Sequence, residues 1–341
     1  MNQSFSWPHA FTTLLSGYSL DETEAAAAMT EIMEGAATAA QIAGFAVALR
    51  SKGETTDEIV GLVRTMRAYA ERVEVDGDLL DTCGTGGDRS GSFNVSTAAA
   101  FVCSGAGARV AKHGNRAASS RCGSADVLEA LGIRIDLPPR GVEACIEGAG
   151  LGFCFAPVFH PAMRHAAMPR RELGVATVFN FLGPLTNPAG ATYQALGVAD
   201  PNMIEKMVDT LRRLGSKHVV AFHGDRGLDE LSTSGPSQVV ELVEGSMRRW
   251  TLDPAEHGIS AADPSDIAGG TAEENARAIV DVLDGAAGPR RDIVALNAAA
   301  GLLACGLASD IASGLERAAE ALGSGAARRV LSDLIEISQA V

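Results

Sequence analysis

Apolar and polar positions alternate with a helical period through the first seventy residues, and capping signatures divide that stretch into pieces. Asp21-x-x-Glu24 opens one run, which Gly35 closes; Thr38-x-x-Gln41 opens a second, ending at Gly53. Thr55-x-x-Glu58 opens a third, predicted to run to about Val73. In that run Ile59, Leu62, Val63 and Met66 recur at i, i+3, i+4 and i+7, the spacing of one helix face. Short helices with no strand between them predict a small helical subdomain.

The period changes at Asp76-Gly77. Short apolar runs at 79–82, 108–111, 152–155, 194–198 and 218–222 read as strands, and helical patterns at 94–105, 124–131, after Pro138-Pro139 and at 203–214 alternate with them. Such alternation predicts an α/β domain with a mostly parallel sheet. Residues 237–250, with a Glu244-Gly245 turn, read as an antiparallel hairpin, and the last seventy residues as Ala-rich helices. Ligands in such a fold collect where strand ends run into helix N-termini.

A chain of 341 residues exceeds one comfortable core, so two domains are expected. Apolar residues are 46% of the chain but aromatics only 5%, so the core must be built from Ala, Val, Leu and Ile. The net charge of −14 opposes nucleic-acid binding and demands a local basic pocket or a bridging cation for any anionic substrate. None of the six cysteines forms a CxxC pair, so they read as buried hydrophobes of a reducing compartment. The start, MNQSFSWPHA, lacks a basic segment followed by an apolar run, and no apolar stretch reaches the length of a membrane span. A soluble cytoplasmic protein is expected.

Four segments carry candidate chemistry. The first, 81–97, places Gly84, Gly86 and Gly87 between a strand and a helix, where backbone N–H groups and the helix dipole can receive phosphate. It is neither a dinucleotide fingerprint, since Arg89 stands where glycine is needed, nor a P-loop, since Ser92 replaces its lysine. The second, 112–126, sets Lys112 at a strand end as a point charge for phosphate and Ser124 as a helix N-cap; a lone histidine such as His113 is more commonly structural. In the third, 160–174, arginine is the side chain suited to a planar carboxylate, although Arg170-Arg171 also reads as surface charge, and the His160…His165 spacing does not suit a helical zinc site. In the fourth, 225–232, Asp229 and Glu230 form a pair able to hold a hard cation beside phosphate oxygens, or simply an acidic turn.

The motifs GTGGD (84–88), NVST (94–97), KHGNRAASS (112–120), GSADVLEALG (123–132), FCFAP (153–157), HPAM (160–163), RRELG (170–174), FNFLGPLTNPA (179–189) and GLDE (227–230) stand in the order found in the anthranilate phosphoribosyltransferases, which the chain resembles. The resemblance covers about residues 8 to 335. It implies transfer of phosphoribose from phosphoribosyl pyrophosphate (PRPP) to anthranilate in tryptophan biosynthesis, with Mg²⁺ required. The implied fold is a small N-terminal helical domain, 1–75 joined by part of 165–190, plus a large α/β domain, 76–341, with a mostly parallel central sheet, as in the nucleoside phosphorylases. A homodimer joined through the helical domain is implied, with no nucleic-acid or membrane partner.

By similarity, PRPP is surrounded by Gly84, Gly87, Asp88, Ser92, Asn94, Val95, Ser96 and Thr97, by Lys112, His113, Gly114, Asn115, Arg116, Ala117, Ala118, Ser119 and Ser120, and by Ser124. Gly84, Asn115 and Arg170 are implied to hold anthranilate, and Ser96, Asp229 and Glu230 the magnesium; no general base is assigned. Three departures from the family pattern stand out: Arg89 for glycine, Cys122 for serine and Ala176 for arginine. A nucleoside phosphorylase of the same fold is the alternative, discriminated by the Asn115–Arg170 pair.

Overall fold

The structure is a computed structural model and describes residues 5–117 and 121–341. Four helices come first: α1 (Trp7–Leu15), α2 (Glu22–Met33), α3 (Ala39–Lys52) and α4 (Thr56–Ala68). The three predicted capping boxes form: Asp21 accepts from the Glu24 N–H at 2.8 Å while Glu24 accepts from the Asp21 N–H at 3.0 Å, and Thr38/Gln41 and Thr55/Glu58 repeat the exchange. No side-chain cap announces α1, which begins with proline in its first turn. Helix α4 stops at Ala68, short of Val73. Beyond it the Glu71 N–H donates to the Phe159 carbonyl and the Val73 N–H to that of Pro188, which draws the chain off the helix axis.

The α/β part continues with β1 (Leu80–Gly84), α5 (Val95–Gly105), β2 (Val110–Gly114), α6 (Ser124–Ala130), α7 (Pro139–Ala149) and β3 (Leu151–Phe155). A crossing segment then carries α8 (Ala156–Phe159), α9 (Arg164–Leu173) and α10 (Phe179–Leu182). The chain returns through β4 (Tyr193–Gly197), α11 (Ile204–Arg213), β5 (His218–His223), β6 (Ser237–Val243) and β7 (Ser246–Leu252), and ends in α12 (Ala272–Leu283), α13 (Pro289–Ala304), α14 (Ile311–Gly323) and α15 (Ala326–Ala340). The seven strands lie in the order β3-β2-β1-β4-β5-β6-β7. The first five are parallel, and the β6–β7 hairpin is antiparallel at one edge. Among the described residues no helix is long and apolar enough to cross a membrane.

Period-two burial splits the core between the two sheet faces. Ala195, Val220, Phe222 and Val239 join α5, α7 and α12–α15 in one cluster. Leu196, Val198, Val219 and Ala221 face the other way, onto α11, α1–α4 and Ala166, Val178, Phe179, Phe181 and Leu182 of the crossing segment. The helical bundle is therefore completed by residues about a hundred positions downstream of α4.

Two boundaries differ from expectation in ways that move chemistry. Strand β2 runs from Val110 to Gly114 instead of 108–111, because its register with β3 is set from Val110↔Leu151 to Gly114↔Phe155. Lys112 and His113 consequently lie within the strand and are buried. Helix α6 has Gly123, not Ser124, at its N-cap. Asp126 accepts from the Gly123 N–H at 2.8 Å and from the Ala117 N–H at 3.0 Å, and the Ser124 hydroxyl donates to the Asn115 carbonyl at 3.2 Å.

Candidate active site

A cavity of about 690 Å³ opens between the C-terminal ends of β1 and β2 and the α9–α10 segment. Its walls come from the glycine loop after β1, the start of α5, the end of β2, the α6 N-terminus, α8–α10, Met66 of α4, and Asp229 with Glu230.

At one end carboxylates gather. The side chain of Asp229 accepts from the Gly86 N–H at 2.7 Å, and Glu230 accepts from the Ser96 N–H at 3.0 Å, so Glu230 caps α5 from 134 residues away. Neither forms an ion pair among the described residues. Burial, aided by the charge of Asp88, pushes Asp229 up to about 7. Burial and the neighbouring Asp229 push Glu230 well above the usual carboxylate range. One buried oxygen of Asp88 has no hydrogen-bond partner. Backbone makes room for this crowding: a methyl group on Gly84 or Gly197 would overlap Asp229. Beneath lies Lys112, whose ammonium donates to the Thr82 carbonyl and, at 3.3 Å, to the Ser96 hydroxyl. It is a subterranean counter-charge, 3% exposed, not the free strand-end cation expected from the sequence.

Hard oxygen donors crowded together without an ion-pair partner fit a divalent cation. The described residues offer no group of three or more metal-ligating side chains, so two carboxylates and the Ser96 hydroxyl would need ligand or water oxygens to complete a shell.

At the other end charge is sparse and mostly neutralised. The Arg170 guanidinium lies 5.7 Å from the centroid of Phe179, is depressed by burial, and has no carboxylate partner among the described residues. Arg171, its neighbour, is exposed. His113 and His160 face one another at 5.1 Å between ring centroids. Each donates to a carbonyl, which can only accept: His113 Nδ1 to Gly183 at 3.1 Å and His160 Nε2 to Thr186 at 3.0 Å. Burial holds His113 down at about 3 and His160 at about 4, so both are neutral near pH 7, and the second nitrogen of each has no partner.

The cavity brings together the described members of the predicted set: Gly84, Gly87, Asp88, Ser92, Asn94 to Thr97, Lys112 to Ala117, Ser124, Arg170, Asp229 and Glu230. Ala118, Ser119 and Ser120 lie outside the described residues. Three members present themselves differently from their expected roles. The Arg116 guanidinium is committed to Asp126 at 2.9 Å and Glu129 at 2.7 Å. Val95 is buried, leaving only its backbone available, and Asn94 spends its amide on the Cys122 carbonyl and Asn275. Arg164, Met163, Asn180 and Pro184 line the cavity without having been singled out. Arg89, of the family departures, sits at φ 58°, in the left-handed region where glycine is favoured. Cys122 is buried and Ala176 exposed.

The glycosyl transferase family a/b-domain model matches residues 76–328, and that family's helical-bundle-domain model matches 8–70. An anthranilate phosphoribosyltransferase of Pelotomaculum thermopropionicum is 53% identical over 97% of this chain and 96% of its own length. The chain belongs to the anthranilate phosphoribosyltransferase family. Among solved structures, the family's enzyme from Thermus thermophilus superposes with a TM-score of 0.90 at 45% identity, covering 97% of this chain and 99% of its own. The Saccharomyces cerevisiae enzyme, in complex with PRPP and Mg, superposes at 0.89 with 27% identity over 98% of both chains. The same yeast enzyme with 4-fluoroanthranilate gives 0.88 at 26% identity and equal coverage.

Proposed function

We propose that this pocket transfers the 5-phosphoribosyl group of PRPP to the amine of anthranilate, giving N-(5-phosphoribosyl)anthranilate and pyrophosphate. The observation that carries the reading is the polarity of the cavity: among the described residues, Asp229 and Glu230 crowd one end with no ion pair and only the buried Lys112 beneath them, while the half-buried Arg170 guanidinium stands without a carboxylate at the other.

Displacement at the anomeric carbon builds negative charge on the departing diphosphate and positive charge on the ribose. In this reading the glycine-loop N–H groups and the α5 N-terminus receive the diphosphate. Asp229, Glu230 and the Ser96 hydroxyl would hold magnesium, which when bound would supply positive charge to neutralise the leaving group. Lys112 keeps Ser96 oriented from below. Arg170 and Asn115 fix the anthranilate carboxylate and aim its amine at the ribose. An aromatic amine is neutral and nucleophilic at pH 7, so no strongly activated base is required, and none is assigned.

We further propose a cytoplasmic homodimer. The six cysteines form no disulfide among the described residues, as suits a reducing compartment, and Leu15, Tyr18 and Val47 expose apolar surface on the helical end. The two units we assign are 1–75 joined by part of 165–190, and 76–341. The test mixes purified protein with PRPP, Mg²⁺ and anthranilate and follows the loss of anthranilate fluorescence. Turnover of thymidine with phosphate instead would favour a nucleoside phosphorylase.

A further inference from the structure

Strand β1 pairs with β4 along its whole length, from Leu80↔Tyr193 to Gly84↔Gly197, and β2 pairs with β3 throughout. Between β1 and β2 the register is confined, among the described residues, to Leu80↔Val110. Beyond that point side chains take part in the ladder. The Ala111 carbonyl accepts from Asn187 Nδ2 at 2.8 Å, the His113 N–H donates to Asp81 Oδ1 at 3.2 Å, and the Thr82 carbonyl accepts from the Lys112 ammonium. Asn187 Nδ2 also donates to Asp81 Oδ2 at 2.8 Å, and its Oδ1 accepts from the Ala189 N–H at 2.9 Å. Asp81 is wholly buried and Asn187 nearly so. Neither carries a role in the mechanism above.

Asn187 ends a strap whose carbonyls are individually held. Gly183 is held by His113 at 3.1 Å, Pro184 by Gln194 Nε2 at 2.6 Å, Leu185 by Arg67 Nε at 2.8 Å and Thr186 by His160 at 3.0 Å. The strap follows directly on Phe179 and Asn180 and lines the cavity through Gly183 and Pro184, on the Arg170 side. It is tied to the sheet at three points: Gly183 by His113 of β2, Pro184 by Gln194 of β4, and Asn187 by Asp81 of β1.

We propose that Asp81 and Asn187 are a positioning pair: bonded to each other and to the β2 backbone, they help fix His113 and the 183–187 strap and so shape the anthranilate end of the pocket, while the diphosphate end is set independently by Asp229 and Glu230. The proposal rests on the functional reading above. An acceptor in a dry seam that loses a donor to a charged group misplaces its neighbours by enough to weaken binding ~10- to 100-fold.

Steady-state kinetics on Asn187→Asp, which sets two carboxylates against each other, should raise KM for anthranilate ~10- to 100-fold and KM for PRPP less than ~3-fold. The exchanged pair Asp81→Asn/Asn187→Asp restores the contact between the two side chains and the single negative charge, though not the donor to the Ala111 carbonyl, and should recover at least ~3-fold of the loss. A general loss of structure would not be repaired by the exchange, nor confined to one substrate. Asn187→Ala, which removes the donor without adding charge, is judged by the same KM split if Asn187→Asp gives no cooperative melt. Equal rises in both KM values, or an exchanged pair no better than Asn187→Asp, overturn the proposal while the wild type still consumes anthranilate. A wild type that leaves anthranilate untouched overturns the functional reading and this proposal with it.

Discussion

The two ends of the cavity are built on opposite principles. At the carboxylate end Glu230 is buried and Asp229 half-buried beside it, with backbone N–H donors and no ion pair among the described residues, and Asp88 adds a third carboxyl group. At the arginine end the strap carbonyls have donors, the two histidines are neutral, and the Arg170 guanidinium, with Arg164 also on the wall, has no carboxylate partner among the described residues. The first end is electrostatically incomplete and requires what it binds; the second is already assembled and only selects. Charge left uncompensated in a folded chain marks where the chemistry changes charge most, and in phosphoribosyl transfer that is at the leaving diphosphate.

The contrast is broken most severely by removing the carboxylates. Asp229→Asn with Glu230→Gln should lower kcat by ~10³-fold and displace the Mg²⁺ titration to higher concentration. In the ligand-free protein at pH 8 the same change should leave the melting temperature unchanged or raise it by ~2–4 °C, because each folded-state pKa is raised and ionisation above it opposes folding. A clear fall in the melting point would mean these carboxylates stabilise the fold. Gly197→Ala, which intrudes on Asp229 from β4, should mimic the loss at ~10²-fold with the anthranilate KM little changed.

At the assembled end, Arg170→Ala should raise the anthranilate KM ~10- to 50-fold and leave that of PRPP within ~2-fold. The reverse pattern would move Arg170 out of the anthranilate site. Histidine NMR should find His113 and His160 untitrated between pH 7.5 and 5, since burial disfavours the imidazolium and holds them near 3 and 4. Protonation near 6.5 would show that water reaches this wall. The smallest effect belongs to Arg116→Ala, below ~2-fold on either KM, because its guanidinium already serves Asp126 and Glu129.

Local signals are legible in the sequence and long-range ones are not. The caps at Asp21, Thr38 and Thr55 act within four residues, so spacing alone reveals them. The glycine loop and the Asp229-Glu230 pair each read as an ordinary turn when taken alone, and become readable as chemistry only through the other motifs they accompany. Glu230 as the cap of α5, Gly197 as the space beside Asp229, and Asn187 against Asp81 each join residues far apart in the chain. No periodicity reports such meetings. Lys112 departs from expectation for a related reason: partner strand β3, not β2's own sequence, decides where β2 ends.

The interrupted construction of the helical bundle has a consequence for its making. Helices α1–α4 leave the ribosome before the downstream residues that share their core, Ala166 and Val178 to Leu182, which are about a hundred codons away. At roughly 5–20 residues per second the nascent bundle waits on the order of ten seconds with an open apolar side. Synthesis thus leaves this segment exposed to chaperones and to other nascent chains, and a translational pause placed before codon 180 would lengthen the exposure where one placed after it would not.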